Sequence, residues 1–179
     1  MKEAASVFLR ADIQREDGRR LAGWMGNQNV TRYLNEKSGV SEEICSLLER
    51  APEGMLSYHF NRHGRFFLIC DSGGRSIGFI KLAPCSETGC EVVYAIGEEL
   101  LWGRGYGRRA LDLALQKAFF ELRRETVEAR IRRENTRSIR AAAHCGMRRV
   151  QEIGPLQVYR ITAREYMESK RPGRSSAGR

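Results

Sequence analysis

The sequence predicts a single mixed α/β domain, because segments with strand-like alternation are interspersed with amphipathic helical segments along the whole chain. The 179 residues are 41% hydrophobic, which is enough for one substantial core, and no internal repeat or linker divides them. We therefore expect one domain over residues 1–168. A basic tail over residues 169–179, rich in Arg, Ser and Gly, should remain disordered because it has too little apolar surface to bury.

The first half of the chain is predicted to contain strands at both ends of a helical region. In order these elements are a strand (7–13), a helix (14–27), a short irregular segment (30–34), a helix capped by Ser41 that ends at 51–54, and two strands (65–71 and 76–82) joined by a Gly-Gly turn. Leu21, Trp24 and Met25 recur at helical spacing, so we expect them to form the buried stripe of the first helix.

The second half alternates strands and helices more regularly. Its elements are a strand (90–96), a glycine-rich loop, a long amphipathic helix that ends near residue 123, a strand (126–131), a short helix opened by Asn135, and a last strand (158–162). Gly146 has the position of a helix C-terminal glycine. Thr162 and Glu165 have the spacing of a capping box, which predicts a final helical turn.

The cysteines and histidines indicate neither a disulfide framework nor a metal site. The five cysteines are an odd number with apolar neighbours, as expected for buried thiols in a reducing cytoplasm. The three histidines have no metal-ligand spacing. No apolar run reaches membrane-span length, and residues 1–10 lack the apolar core of a signal peptide. The sequence therefore predicts a cytoplasmic protein without a metal.

The formal net charge of +9 has three sources: the tail and two arginine clusters, at residues 104–109 and 130–140. Such clusters suit a polyphosphate ligand, a nucleic acid, or solubility alone. Proteins that bind single-stranded nucleic acid stack its bases on aromatic side chains that lie between their basic residues. Residues 130–140 contain no aromatic residue. A nucleic-acid partner is therefore not favoured.

The segment from Leu101 to Leu111 is the most informative in the chain, because Gly103, Gly105 and Gly107 alternate there before a helix. A loop without Cβ atoms at a helix N-terminus allows successive amides to converge on a phosphate, which the helix dipole also favours. Arginines inside the loop add positive charge. The pattern indicates phosphate binding.

The order of strand, glycine loop, long helix, strand, Asn and short helix resembles the GNAT superfamily of acetyl-CoA-dependent N-acetyltransferases, and within it the ribosomal-protein alanine N-acetyltransferases. The family's Gln/Arg-x-x-Gly-x-Gly/Ala loop is matched with Trp102 in its first place. The Asn-x-x-Ser signature followed by Gly-Phe is matched by Asn135 and Ser138, with Met147 replacing Phe. The resemblance covers about residues 7–168.

This resemblance implies a mixed, mostly antiparallel central sheet with two splayed strands, flanked by helices, that binds acetyl-CoA without a metal. The backbone of Tyr94, Ala95 and Ile96 is expected to pair with pantetheine. The residues expected to hold the coenzyme phosphates and the start of pantetheine are Gly103, Arg104, Gly105, Tyr106, Gly107, Arg108, Asn135 and Arg140.

The reaction would be direct attack of a primary amine on the thioester. The family's usual general acid, a Tyr, is replaced here by Ala142, so Ser138 is the candidate donor to the sulfur, with helix capping as its alternative role. Glu91 and Glu152 are candidate bases, although either could be an ordinary surface carboxylate. With no evident base, an α-amine is favoured over a lysine amine because it loses its proton more easily.

The acceptor is expected near Asn29 and Tyr33, beside the first two helices. The acceptor itself stays open between a protein N-terminus and a small-molecule amine, and the protein could be a monomer or a homodimer. Two other functions remain open: a basic RNA- or ribosome-associated binding module, and an acetyl-CoA sensor without turnover.

Overall fold

The computed structural model describes residues 6–35 and 37–171, so most of the predicted tail lies outside the described residues. The strands are β1 (Val7–Arg10), β2 (Arg65–Asp71), β3 (Ser76–Pro84), β4 (Gly89–Ile96), β5 (Thr126–Arg132), β6 (Arg148–Ile153) and β7 (Leu156–Thr162). The helices are α1 (Arg15–Gly26), α2 (Gln28–Thr31), α3 (Val40–Arg50), α4 (Leu56–Phe60), α5 (Tyr106–Gln116), α6 (Thr136–His144) and α7 (Ala163–Ser169). None of the helices in these two ranges is long and apolar enough to cross a membrane.

The strands form one seven-stranded sheet in the order β1-β2-β3-β4-β5-β7-β6. Every neighbouring pair is antiparallel except β4 and β5, which are parallel and are connected through α5. The predicted mixed, mostly antiparallel sheet flanked by helices is therefore confirmed.

The parallel pair is joined at one end only. Gly89 of β4 lies opposite Thr126 of β5, and the pairing ends at Glu91 opposite Glu128. Beyond that point β4 continues to Ile96 with β3 as its only strand partner among the described residues. The two strands thus separate into a V, and the edge of β4 that faces β5 is left without a strand along residues 92–96.

Strand alternation divides the core between the two faces of the sheet. The larger cluster lies under α5, α6 and α7 and includes Val127, Ala129 and Ile131 of β5. The second cluster lies under α1 and α3 and includes Trp24 and Phe79. Each face of the sheet is therefore covered by a different set of helices. A molecule can reach the gap between β4 and β5 from either face, and the two routes are separate.

A buried carboxylate connects β1, α1 and β3. Asp17, 6% exposed, accepts a hydrogen bond from Arg10 at 2.9 Å and from the Ser76 hydroxyl at 2.9 Å. Its other oxygen accepts the Gln14 amide at 3.0 Å and so caps the start of α1. A buried charge is tolerated only when it is paired and hydrogen-bonded in this way.

The predicted start of the second helix is wrong. Helix α3 begins after Gly39, which is its N-terminal cap and has a left-handed φ of 88°. Ser41 lies inside the helix, and its hydroxyl donates instead to the carbonyl of Ala22 in α1, at 2.8 Å. The Ser41 hydroxyl, which the sequence pattern assigns to capping, therefore forms a hydrogen bond between α3 and α1 instead.

Other differences concern elements with weak sequence signals. Strand β6 was not predicted, because all six of its residues are exposed and show no apolar alternation. The short helices α2 and α4 were also missed, and β1 ends at Arg10, three residues earlier than expected. The five cysteines are free thiols, but two of them, Cys45 and Cys85, are exposed rather than buried.

Candidate active site

A cavity of about 600 Å³ lies where β4 and β5 separate, and it reaches both faces of the sheet. It brings together most of the predicted site residues: Asn29, Tyr33, Glu91, Tyr94, Ala95, Ile96, Gly103, Gly105, Tyr106, Gly107, Arg108, Asn135, Ser138 and Arg140. Arg104 and Glu152 are not among the lining residues. Residues far apart in the sequence therefore converge on one space.

The glycine loop enters α5 through two left-handed residues. Gly103 has φ 74° and Gly105 has φ 90°, and Gly105 is the N-terminal cap of the helix. This backbone conformation destabilises residues with a Cβ by roughly 1–2 kcal/mol. The glycines at these two positions are thus required by the path of the chain, independently of any ligand.

The loop presents several amide groups without a hydrogen-bond acceptor in the part of the chain that the structure describes. Among the described residues, the N–H groups of Gly103, Gly105 and residues 106–108 donate to no carbonyl or side chain. The first N–H groups of a helix have no intrahelical partner, and the helix dipole places partial positive charge at the same point. Since this cluster of donors borders the cavity, it forms a cradle for an anion such as a diphosphate.

Gly107 has a different role from Gly103 and Gly105. A Cβ at this position would lie 3.2 Å from Cε2 of Tyr94 and 3.8 Å from Cγ1 of Ile96. A Cβ here would be in tighter contact with the Tyr94 ring than is usual, so Gly107 allows the first turn of α5 to lie close to that ring.

The arginines of the two clusters separate into different environments. Arg108 contacts the His144 ring nitrogen at 2.6 Å, and both residues line the cavity together with Arg140. The guanidinium of Arg137 lies 4.0 Å from the centroid of the Trp102 ring. Three of these arginines therefore border the same cavity as the cradle, where they can meet further phosphate oxygens.

Trp102 occupies the first place of the glycine motif and has a structural role there. Its indole N–H donates to the carbonyl of Ile96, the last residue of β4, at 2.7 Å. Together with the stacked Arg137, it connects the loop after β4 to the first turn of α6, which follows β5. The sequence marked this Trp as a departure from the family pattern but did not predict its contacts.

Asn135 and Ser138 begin α6, and the structure separates their roles. The Asn135 side chain accepts the Ser138 amide at 3.2 Å, so Asn135 is the helix cap. The Ser138 side chain lies beside the Tyr94 phenol, where its effect is to lower the pKa of that phenol. Capping, the alternative role for Ser138, is therefore performed by Asn135, and the hydroxyl is available at the cavity wall.

Tyr94 was expected to contribute only its backbone, but its side chain also belongs to the site. Burial raises the pKa of Tyr94 to about 12, although the hydrogen bond with Ser138 acts in the opposite direction. The phenol therefore keeps its proton at neutral pH, and it lies next to Ser138 at the cavity wall.

The opposite face of the sheet carries a small set of charged groups. Lys81 of β3 lies opposite Val93, and Glu91 lies two residues before Val93 on β4, so the two side chains share one face. Arg130 of β5 also belongs to that face and donates to Glu91 at 2.7 Å. All three line the cavity, on the side away from α5.

Polar residues after α1 cover this second side. Asn29 donates to the Glu99 carboxylate at 3.2 and 3.3 Å, and Asn35 donates weakly to the carbonyl of Arg130 at 3.5 Å. Tyr33 also lines the cavity here. Trp24 does not line the cavity, because it is 7% exposed and packs against Gly97, where a Cβ would overlap its ring.

Glu152 lies apart from this arrangement. It is on the exposed edge strand β6, where it accepts hydrogen bonds from Arg149 at 2.9 Å and Gln157 at 3.2 Å. Of the two carboxylates predicted as candidate bases, the structure brings only Glu91 to the cavity.

The model of the acetyltransferase (GNAT) domain family matches residues 7–148, which is most of the chain. The chain belongs to the GNAT acetyltransferase family. It is therefore an N-acetyltransferase that takes its acetyl group from acetyl-CoA. No curated protein matches the chain.

Solved structures with the same fold include other acetyltransferases. A spermidine N-acetyltransferase from Vibrio cholerae in complex with CoA and spermine is 20% identical, with a TM-score of 0.73 over 90% of this chain and 98% of that chain. A GNAT-family acetyltransferase from Bacillus anthracis is 18% identical, with a TM-score of 0.71 over 90% and 98%. A domain from Methanocaldococcus jannaschii is 21% identical, with a TM-score of 0.69 over 88% and 99%. At these identities the likeness establishes the fold alone.

Several lining residues of this acetyltransferase were not predicted. Lys81 and Arg130 lie on strands whose exposed positions read as ordinary alternating surface residues in the sequence. The register of β3, β4 and β5 would have placed them beside Glu91, but the pairing of distant strands cannot be read from one sequence.

Proposed function

We propose that this acetyltransferase moves the acetyl group from acetyl-CoA to a primary amine by direct attack, and that a protein N-terminal α-amine is the preferred acceptor. The observation that carries the proposal is the single cavity that joins the anion cradle on one face of the sheet to the charged and polar residues on the other. A thioester held in the V is then accessible to an amine that approaches from the opposite side.

The residues present fit the coenzyme. The unpaired amides of the glycine loop suit its diphosphate, and Arg108, Arg137 and Arg140 border the same region. The free edge of β4 along residues 92–96 can pair with the amide groups of pantetheine as an additional strand would. An N–H group on this edge can also polarise the acetyl carbonyl.

In the reaction, the amine nitrogen bonds to the acetyl carbon, the carbon–sulfur bond breaks, and the sulfur leaves with the electron pair. The ammonium form first releases one proton to solvent; the neutral nitrogen then loses a second proton while the sulfur gains one, so no other reactant is required. Ser138 is the group proposed to donate a hydrogen bond to the departing sulfur, because Asn135 already caps the helix. Tyr94 would hold the Ser138 hydroxyl in position.

The state of Glu91 favours an acceptor that loses its proton easily. The carboxylate is already paired with Arg130 at 2.7 Å, so it is better suited to orienting an ammonium group than to removing a strongly held proton. At pH 7, neutralising an α-amine requires about 1.4 kcal/mol, whereas a lysine amine requires about 4.6 kcal/mol. Placing the amine next to the thioester can offset the smaller value readily.

The second candidate function, an RNA-binding surface, has less support. Arg130, Arg137 and Arg140 belong to the arginine cluster that suggested it, and all three line the cavity. The third, a sensor without turnover, depends on the missing Tyr at Ala142, which is fully buried and does not line the cavity.

Thiol release from acetyl-CoA tests the function when it is measured with N-terminal peptides, peptides with only a lysine amine, and spermidine. We expect the fastest transfer with an unblocked N-terminus and none when that N-terminus is blocked. Coenzyme binding without release for every amine would support the sensor, and steeply salt-dependent RNA binding without a coenzyme effect would support the binding module.

Replacing Glu91→Gln tests the role of the carboxylate in the same assay. We expect kcat/KM at pH 7 to fall about 10- to 100-fold and to recover above the pKa of the peptide amine, where solvent has removed the proton. A loss that does not change with pH would contradict the role of Glu91 in orienting the ammonium group.

A further inference from the structure

We infer that the acceptor carries a negatively charged group close to its amine, and that Lys81 recognises this group. The inference rests on the proposed function, because it concerns the acceptor side of the same cavity.

The cavity has a marked excess of positive charge. Among the described residues that line it, the cationic side chains are Lys81, Arg108, Arg130, Arg137 and Arg140, and the carboxylate is that of Glu91. A polyamine acceptor, with several positive charges, would need several carboxylates instead. The lining of this cavity therefore disfavours spermine or spermidine, although a solved structure with the same fold binds spermine.

The coenzyme accounts for only part of the excess. Arg108 lies in the first turn of α5, and Arg137 and Arg140 lie on α6, so these three are on the coenzyme side with the anion cradle. Lys81 and Arg130 lie on β3 and β5 and face the other way. Their charges cannot serve the phosphates held by the cradle.

On the acceptor side, Arg130 is paired with a carboxylate, whereas Lys81 has no such pair within residues 6–35 and 37–171. Arg130 donates to Glu91 at 2.7 Å and lies 4.0 Å from Glu128, which in turn is paired with Arg160. The described residues provide no ion pair for the Lys81 ammonium group. Lys81 is partly exposed at the cavity wall, so its ammonium group is accessible to an anionic group of the acceptor.

The spacing defines the acceptor further. Lys81 and Glu91 are diagonal neighbours on an antiparallel pair, and such neighbours lie roughly 7–8 Å apart. An ammonium group near Glu91 and an anion near Lys81 would then belong to one molecule about the size of one or two amino-acid residues. The chemistry that fits is an α-amine with a carboxylate on the same or the next residue: an acidic peptide N-terminus or a free acidic amino acid.

Three peptides that differ only in the second residue, which is aspartate, asparagine or lysine, provide the test, with free aspartate and spermine as further acceptors. We expect the highest kcat/KM for the aspartate peptide, mainly through a lower KM, and the lowest for spermine. Replacing Lys81→Gln should raise the KM for the aspartate peptide on the order of tenfold and leave the asparagine peptide nearly unchanged. Replacing Lys81→Glu should reverse the order in favour of the lysine peptide.

Arg164→Gln and Arg164→Glu are the matched controls for Lys81→Gln and Lys81→Glu, because each makes the same charge change at an exposed position of α7 that does not line the cavity. Melting curves and coenzyme affinity of the Lys81 variants should equal those of the wild type. Equal kcat/KM for the three peptides would overturn this inference but not the proposed function. The same holds if Arg164→Glu changes the peptide preference as much as Lys81→Glu does. Absence of transfer to every amine would overturn the proposed function with it. Faster transfer to free aspartate than to any peptide would identify a small molecule as the source of the anionic amine.

Discussion

Gly105 and Gly39 allow the ligand role of the glycine loop to be separated from its structural role. Gly105 precedes α5 with φ 90° and ψ −2°, and Gly39 precedes α3 with φ 88° and ψ 3°. Both are N-terminal caps, and a Cβ at either would meet no atom within 4 Å. They differ in that Gly105 lines the cavity and Gly39 does not.

Replacing either glycine by alanine should therefore have a similar effect on stability. The left-handed conformation should lower the free energy of unfolding by about 1–2 kcal/mol in each variant. For a domain of this size that corresponds to a decrease in Tm of roughly 2–8 °C.

Only Gly105→Ala should weaken coenzyme binding, because the new methyl group would enter the space where the diphosphate approaches the amides. At a coenzyme concentration of 100 times Kd, the wild type and Gly39→Ala should gain about 2.7 kcal/mol, or roughly 5–11 °C. A tenfold increase in Kd for Gly105→Ala would reduce this gain to about 1.4 kcal/mol, which is half the shift. Gly105→Val should abolish it.

Thermal melts of the three proteins with and without acetyl-CoA, supported by calorimetric Kd values, measure both effects. An equal coenzyme-induced shift in all three proteins would refute the assignment of the loop as the diphosphate cradle. A loss of binding in Gly39→Ala as large as in Gly105→Ala would show that general destabilisation explains the result.

Three further predictions concern catalysis, stability and pH. Ser138→Ala and Tyr94→Phe should each lower kcat about 10- to 100-fold without changing the Kd of the coenzyme. The double variant should lose no more kcat than Ser138→Ala alone, because Tyr94 acts through Ser138. Additive losses would contradict that role of Tyr94. Asp17→Ala should lower the free energy of unfolding in urea by about 3 kcal/mol, because it leaves the Arg10 guanidinium without its partner; a loss below about 1 kcal/mol would show that the ion pair matters little. Burial raises the pKa values of Cys90 and Cys145 to about 11, so the folded state favours the neutral thiols. The free energy of unfolding should therefore be highest below pH 9. Between pH 9 and pH 11 it should fall by at most about 1.4 kcal/mol per pH unit for each thiol. Urea denaturation at intermediate pH values should show a smaller decrease when either Cys is replaced by Ala, and an unchanged decrease would contradict this origin.

Local sequence patterns predicted the elements that depend on local chemistry. Strand β2 was predicted at its observed bounds because Gly73 and Gly74 end an apolar run. The capping box of Thr162 and Glu165 is present as expected, since a cap requires only residues three apart. Gly146 has the predicted left-handed conformation, with φ 86°, for the same reason.

Patterns failed where a distant contact decided the outcome. Ser41 is a good cap by type, but its hydroxyl bonds to α1, and the chain turns at Gly39 instead. Strand β6 has the composition of a surface loop and is a strand only because the edge of β7 pairs with it. Propensity is a weak prior that tertiary partners override in such cases.

The sequence by itself determined the α/β class, the glycine loop ahead of α5, and the Asn–Ser pair that opens α6, because each depends on neighbours within a few residues. Only the tertiary structure decided that β4 and β5 separate after Glu91, that the Ser41 hydroxyl bonds to α1, and that Lys81, Glu91 and Arg130 meet on the second face of the sheet. These outcomes depend on strand register and on which side chains compete for the same hydrogen bond, and both are set by residues far apart along the chain.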